Sequence, residues 1–221
     1  MTTQQPEQEI GFIEKVEQFY NQYRNYILTI IGIIAIGVLY LFYQKSQTVK
    51  KEKEAEGIII SAQNYFRIDS LNLALYGDGQ QMGFVDIADE YSGTSTGNLA
   101  NYYAGICFLK TGQFEDAVDY LKDFSTSGPL VQANAYKALG DAYSELGETD
   151  KAKHNYILAS EVVDIKEYTP KFLRVAADYC RYTGDGEKAV ELYEKIKNYY
   201  PKSLEAQNID ALIKLSGSNE E

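Results

Sequence analysis

Tryptophan is absent from this chain of 221 residues, histidine occurs once and cysteine twice. His154, Cys107 and Cys180 are widely spaced, with no Cys-x-x-Cys pair, so no usual zinc spacing can be assembled from them. Both cysteines fall within apolar helical patterns and read as small buried hydrophobes. A disulfide between them requires a fold that brings them together, so cysteine usage leaves the compartment open. Also missing are a phosphate-cradling glycine loop, a Ser/His/Asp or Cys/His set and a metal-ligand cluster. His154 follows a polar helix face and reads as solvated. The chain is therefore read as a non-enzyme with no cofactor and no metal. Positive charge is scarce as well. The net charge is −11, and from Gly57 onward 15 Lys and Arg face 25 Asp and Glu. Such a surface repels phosphate backbones and anionic headgroups, which excludes nucleic acid as a partner.

What the chain does have is length for one or two domains, 20 tyrosines, and one long uncharged run. "YILTIIGIIAIGVLYLFY", Tyr26 to Tyr43, reaches about 27 Å as a helix, close to the ~30 Å hydrocarbon core of a bilayer. Tyr20, Tyr23 and Tyr26 precede or open it, and Tyr40 and Tyr43 close it, as at headgroup boundaries. Acidic residues precede it (Glu7, Glu9, Glu14 and Glu17), and "QKSQTVKKEKE" after it offers no small-residue cleavage site, so it reads as a retained anchor rather than a signal peptide. Ile10, Ile13, Val16, Tyr20 and Tyr23 recur at helical spacing ahead of it, an amphipathic segment. Lys45, Lys50, Lys51 and Lys53 after the span outnumber Lys15 and Arg24 before it, which taken alone turns the C-terminal part toward the cytoplasm.

Beyond the anchor a unit recurs. Gly105 and Ala117, Gly140 and Ala152, and Ala177 and Ala189 are each twelve residues apart, and Gly112, Gly147 and Gly184 follow the first members by seven. The units start 35 and 37 residues apart, a repeat architecture. Each reads as two antiparallel helices joined by a glycine cap, with the small pairs expected to be the points of closest approach. Larger apolar residues share those faces, among them Phe108, Leu121, Tyr143, Tyr156, Leu173 and Tyr193. Such hairpins bury their apolar faces only by stacking. Upstream, residues 57–97 read as a divergent pair of helices interrupted by "GDG", with Ala62, Ala74 and Ala88 as packing points. Leu204, Ile209, Leu212, Ile213 and Leu215 are expected to form one capping helix.

This spacing resembles the tetratricopeptide repeat over about Asn98 to Lys202. It departs from that pattern in lacking a closing proline in the second unit, and an aromatic follows the turn only at Phe114. The resemblance implies an all-α fold, with a single N-terminal transmembrane helix followed by a right-handed α-solenoid of tetratricopeptide-type hairpins. The expected segments are an amphipathic tail (1–24), the span (25–44), a charged linker (45–56), the divergent hairpin (57–97), repeats at 98–131, 132–168 and 169–202, a capping helix (203–216) and a disordered tail (217–221). In such a solenoid the first helix of each unit lines the concave face. Helical spacing then places Tyr102, Ile106 and Leu109, then Lys137, Asp141 and Ser144, then Arg174, Asp178 and Arg181 toward a protein ligand. Lys137/Asp141 and Arg174/Asp178 stand four apart, so pairing within each helix is an equal reading. Asp141 and Asp178 disfavour the Lys/Arg-with-Asn grip on a C-terminal carboxylate that some such domains use.

The whole architecture is similar to that of the ancillary SecYEG translocon subunit family. That resemblance implies an inner-membrane protein with a periplasmic repeat domain, against the two-lysine margin that favours a cytoplasmic one. The implied partners are translocon subunits, chaperones and exported chains. A self-associating scaffold in envelope assembly or division, a homo-oligomer without a client, is the alternative.

Overall fold

A computed structural model describes residues 6–217, with side chains at 11 and 14–217. The side chains of Ile10 and Ile13, and residues 218–221 of the expected tail, lie outside what is described. The chain divides into two compact units, before and after the Lys50–Lys51 bond.

The first unit is helical throughout its described length and belongs to α1 (Pro6–Arg67). Its apolar stretch has a mean hydropathy of 2.3 and none of it is buried. Leu28, Ile30, Ile33, Ile36, Leu39 and Phe42, on all sides of the run, are each more than half exposed. A helix that is apolar all round is stable in lipid or inside a large core, and nothing in this unit supplies a core.

The second unit begins with Lys51–Arg67 of α1. It continues through α2 (Leu71–Tyr76), α3 (Phe84–Glu90), α4 (Ser95–Lys110), α5 (Phe114–Asp123), α6 (Pro129–Glu145), α7 (Thr149–Val162), α8 (Thr169–Tyr182), α9 (Gly186–Tyr199) and α10 (Ile209–Gly217). Among the described residues there is no strand. Helices α4/α5, α6/α7 and α8/α9 form successive hairpins in an α-solenoid, and one continuous core of buried side chains runs from Ala55 to Ile209.

The three hairpin turns share one geometry. Gly112, Gly147 and Gly184 have φ of +77°, +72° and +84°. The amide after each glycine donates five residues back, Gln113 to Phe108, Glu148 to Tyr143 and Asp185 to Cys180, at 2.8–2.9 Å. The glycine amide itself donates to the carbonyl three residues back. This is the Schellman closure, and the left-handed φ is what it demands. A Cβ at any of the three would meet nothing within 4 Å, so conformation and not space selects glycine there.

The end of α1 repeats this closure with a different residue. Asp69 has φ +59°, and Ser70 N–H donates to the Tyr65 carbonyl at 2.9 Å. Asp69 lies seven after Ala62, and Ala74 lies twelve after it, the same spacing as in the later units. Ala62 and Ala74 are both fully buried. The divergent hairpin is thus built on the repeat's own spacing, with α1 as first helix. Its second helix differs from the expected one: it is split into α2 and α3 by residues 77–83. There Asp78 Oδ1 accepts from the amides of Gln80 and Gln81 at 2.9 and 2.7 Å, and its Oδ2 accepts from Tyr65 Oη at 2.8 Å. Those two amides, Gln81 foremost, and then the tyrosine hold the Asp78 carboxyl below the usual carboxylate range.

Glu52, on α1, caps α4 across 43 residues. Its carboxylate accepts from Ser95 N at 2.6 Å, Thr96 N at 3.1 Å and Thr96 Oγ1 at 2.7 Å. Thr94 Oγ1 accepts from Gly97 N at 2.9 Å. The first orphan amides of α4 are therefore met by two side chains, one of them anionic at the positive end of the helix dipole. Pro129 is the first residue of α6, where its missing N–H costs nothing, and Pro201 lies in the turn after α9.

At the C-terminus the expected single capping helix is interrupted. Leu204–Ala206 forms a 3-10 turn, with Leu204 76% exposed, and α10 starts at Ile209 after Asn208 at φ +59°. The helix then packs on α9, and a Cβ on Gly186 would sit 2.4 Å from the Ser216 carbonyl oxygen.

Candidate protein-interaction face

The helices α4, α6 and α8 are the first members of the three hairpins, and corresponding positions on them can be read across. Tyr102, Lys137 and Arg174 correspond, as do Ile106, Asp141 and Asp178, and Leu109, Ser144 and Arg181. All nine are half-buried.

The small residues set how the second helix approaches. All six members of the matched pairs are buried, but the expected small-to-small contact is not the closest one. A Cβ on Gly105 would meet Leu121 Cγ at 2.5 Å before the Ala117 carbonyl oxygen at 3.2 Å. A Cβ on Gly140 would meet only the Tyr156 ring, at 2.7–3.0 Å, among its nearest atoms. Side chains on a helix lean toward its N-terminus, so the residue one turn after the small alanine covers the gap. The third unit puts Tyr193 at the position of Leu121 and Tyr156.

With the ring laid against the first helix, its hydroxyl reaches the residue after the small one. Tyr156 Oη donates to Asp141 Oδ1 at 2.9 Å, and Tyr193 Oη donates to Asp178 Oδ1 at 2.5 Å. Lys137 Nζ lies 2.7 Å from Asp141 Oδ2, and Arg174 Nε lies 2.9 Å from Asp178 Oδ2. Arg174 also donates to the Glu205 carbonyl at 3.1 Å, and Arg181 Nε donates to Tyr193 Oη at 3.4 Å. Each aspartate is thus held by a cation one turn before it and a phenol from the paired helix. Burial, reinforced by Asp178, pushes the Tyr193 hydroxyl up to about 12. Burial and then Asp141 raise that of Tyr156 as well. Both phenols therefore stay protonated donors at neutral pH.

The α4/α5 hairpin has the same positions in apolar form, with Tyr102, Ile106 and Leu121 in place of cation, aspartate and tyrosine. Tyr102 stacks obliquely on Phe124 with ring centroids 5.0 Å apart, and burial raises its hydroxyl's pKa. Tyr102, Ile106 and Leu109 pack on the core with one side and leave the other open. The charged two-thirds of the expected groove is self-satisfied; the apolar third is not. The sequence reading missed the two Tyr–Asp bonds. Their signal was available as a fixed fifteen-residue interval, Asp141 to Tyr156 and Asp178 to Tyr193.

Cys107 and Cys180 are free thiols with no exposure. Burial pushes them up to about 12 and about 11. His154 is exposed. Among the described residues no cluster of three or more His, Cys, Asp or Glu could hold a metal ion.

A tetratricopeptide repeat profile matches residues 99–127 and 172–203, the first and third hairpins. No curated protein matches the chain. Among solved structures, a Podosopora anserina protein assigned as a kinesin light chain, with nearly identical tetratricopeptide-like repeats, superposes with a TM-score of 0.51. The identity is 13%, over 79% of this chain and 86% of that one, which bears on the fold alone. The chain carries tetratricopeptide repeats, a fold used for protein–protein interaction, and no catalytic family is indicated.

Proposed function

We propose that this chain is a membrane-anchored, non-catalytic scaffold whose repeat stack takes hold of another polypeptide through the Tyr102–Ile106–Leu109 patch. The observation that carries this reading is the contrast between corresponding positions. Lys137, Asp141, Arg174 and Asp178 are engaged with one another and with Tyr156 and Tyr193, while the apolar set remains half open. An amphipathic helix or an extended segment presenting apolar side chains suits such a patch. The uncovered apolar run of α1 supports a bilayer anchor. The architecture's resemblance to the translocon-associated family gives the finer reading: an inner-membrane protein, repeats in the periplasm, meeting translocon subunits, chaperones or exported chains.

A self-associating scaffold is the second reading, and one observation favours it. The divergent hairpin exposes Ile60, Ile68, Leu73 and Tyr76 by 40–71%, apolar area that a second copy could cover. Crosslinking in intact membranes separates the two. Adducts with translocon subunits or exported chains support the first reading, and adducts with copies of this chain alone support the second. Protease added to spheroplasts digests the repeats if they are periplasmic and spares them if they face the cytoplasm.

A further inference from the structure

We propose a second recognition site, for an acidic peptide segment with an apolar side chain, in the cleft between the α7–α8 and α9–α10 connections. The cleft has a volume of about 730 Å³ and is bounded by residues 166–171 and 198–205. Of the twelve lysines from Lys110 to Lys214, eight are in ion pairs with carboxylates. Of the four without a carboxylate partner among the described residues, three line this cleft: Lys166, Lys171 and Lys202. In a chain of net charge −11, three ammonium groups outside any ion pair, one of them Lys171 over the Tyr168 ring at 5.3 Å, outnumber the carboxylates of Glu167 and Glu205 on this lining and make it locally cationic.

The remaining wall is apolar and hydrogen-bonding. Tyr199 and Leu204 are 74% and 76% exposed at its rim. Ser203 is part of the lining, and its Oγ is shielded from solvent without a hydrogen-bond partner among the described residues. Glu167 and Glu205 also line the cleft and pair with none of the three lysines. They repel a dense polyanion, so the lining selects carboxylates spaced along a chain over a sheet of lipid headgroups. The site rests on the protein-interaction reading but not on the Tyr102–Ile106 patch, which belongs to another hairpin.

The test uses the full chain in neutral detergent micelles and a fluorescein-labelled twelve-residue peptide of alternating Glu-Glu-Phe, read by anisotropy. Saturable binding is expected, weakened at least tenfold by Lys166→Gln, Lys171→Gln and Lys202→Gln together and left unchanged by Ile106→Asp. Lysine-to-glutamate substitution at the same three exposed positions should lose the Glu peptide and bind a Lys-Lys-Phe counterpart. Binding that survives removal of the lysines, or no saturable binding at all, overturns the proposal. So does lysine-dependent binding of phosphatidylglycerol vesicles without binding of the peptide. If Ile106→Asp alone abolishes peptide binding, the cleft is refuted while the interaction reading stands.

Discussion

Replacing Gly140 with alanine puts two sizeable effects in opposition. Alanine is the better helix former by about 1 kcal/mol in a helix interior. Its Cβ, however, would lie 2.7 Å from Tyr156 Cε1 and 2.8 Å from Cδ1. That ring cannot swing clear, because its hydroxyl is tied to Asp141 at 2.9 Å and its face packs on Tyr179 at 4.8 Å between centroids. Overpacking of this kind costs about 2 kcal/mol, so a net loss of about 1 kcal/mol is expected. With Tyr156→Ala as background the obstruction is gone, and Gly140→Ala should instead stabilise by about 1 kcal/mol. The coupling between the two sites is then about 2 kcal/mol, well above the additivity error of about 0.5 kcal/mol. Urea unfolding of the four chains, followed by far-UV circular dichroism, measures it. The same effect of Gly140→Ala in both backgrounds would refute the packing argument.

Glu52→Ala should cost about 1–2 kcal/mol through loss of the cap on α4, seen as faster amide exchange at Ser95 and Thr96. The Asp185 carboxyl is held below its usual range, chiefly by the Lys153 ammonium 2.8 Å away. A lowered folded pKa stabilises above the unfolded value of about 3.9 and is lost as pH falls through the folded one. Asp185→Asn should therefore be less stable than the native chain at pH 7 by thermal melting, with the difference shrinking as the pH falls below about 3.9. Cys107 and Cys180, buried and held protonated, should resist an aromatic disulfide reagent in the folded chain and both react in urea. Detergent-solubilised chain should show the same two free thiols before and after mild reductant.

Legibility in the sequence followed chemistry. The hairpins were readable because a left-handed turn admits few residues, and glycine recurs at the required interval. The divergent unit was harder for the same reason: Asp69 occupies the left-handed position, and only the Ala62-to-Ala74 interval carries the signal. The point of closest approach was misplaced by one turn, since spacing locates Cα atoms and not the lean of Leu121 and Tyr156 toward the preceding turn. Lys137/Asp141 and Arg174/Asp178 had two equal readings from spacing, contact with a ligand or with each other. Deciding between them required the tyrosines of the paired helices, fifteen residues away. The Glu52 cap spans 43 residues and has no local pattern at all.

Central to the proposed function is that the half-open apolar patch on α4 takes hold of a polypeptide. A photocrosslinking amino acid placed at Ile106, in the anchored chain in native membranes, interrogates it directly, with the same residue at exposed Tyr182 as the control. The account predicts an adduct with a different polypeptide from position 106 and none from position 182. Equal labelling from both positions, or only lipid adducts from 106, would contradict it.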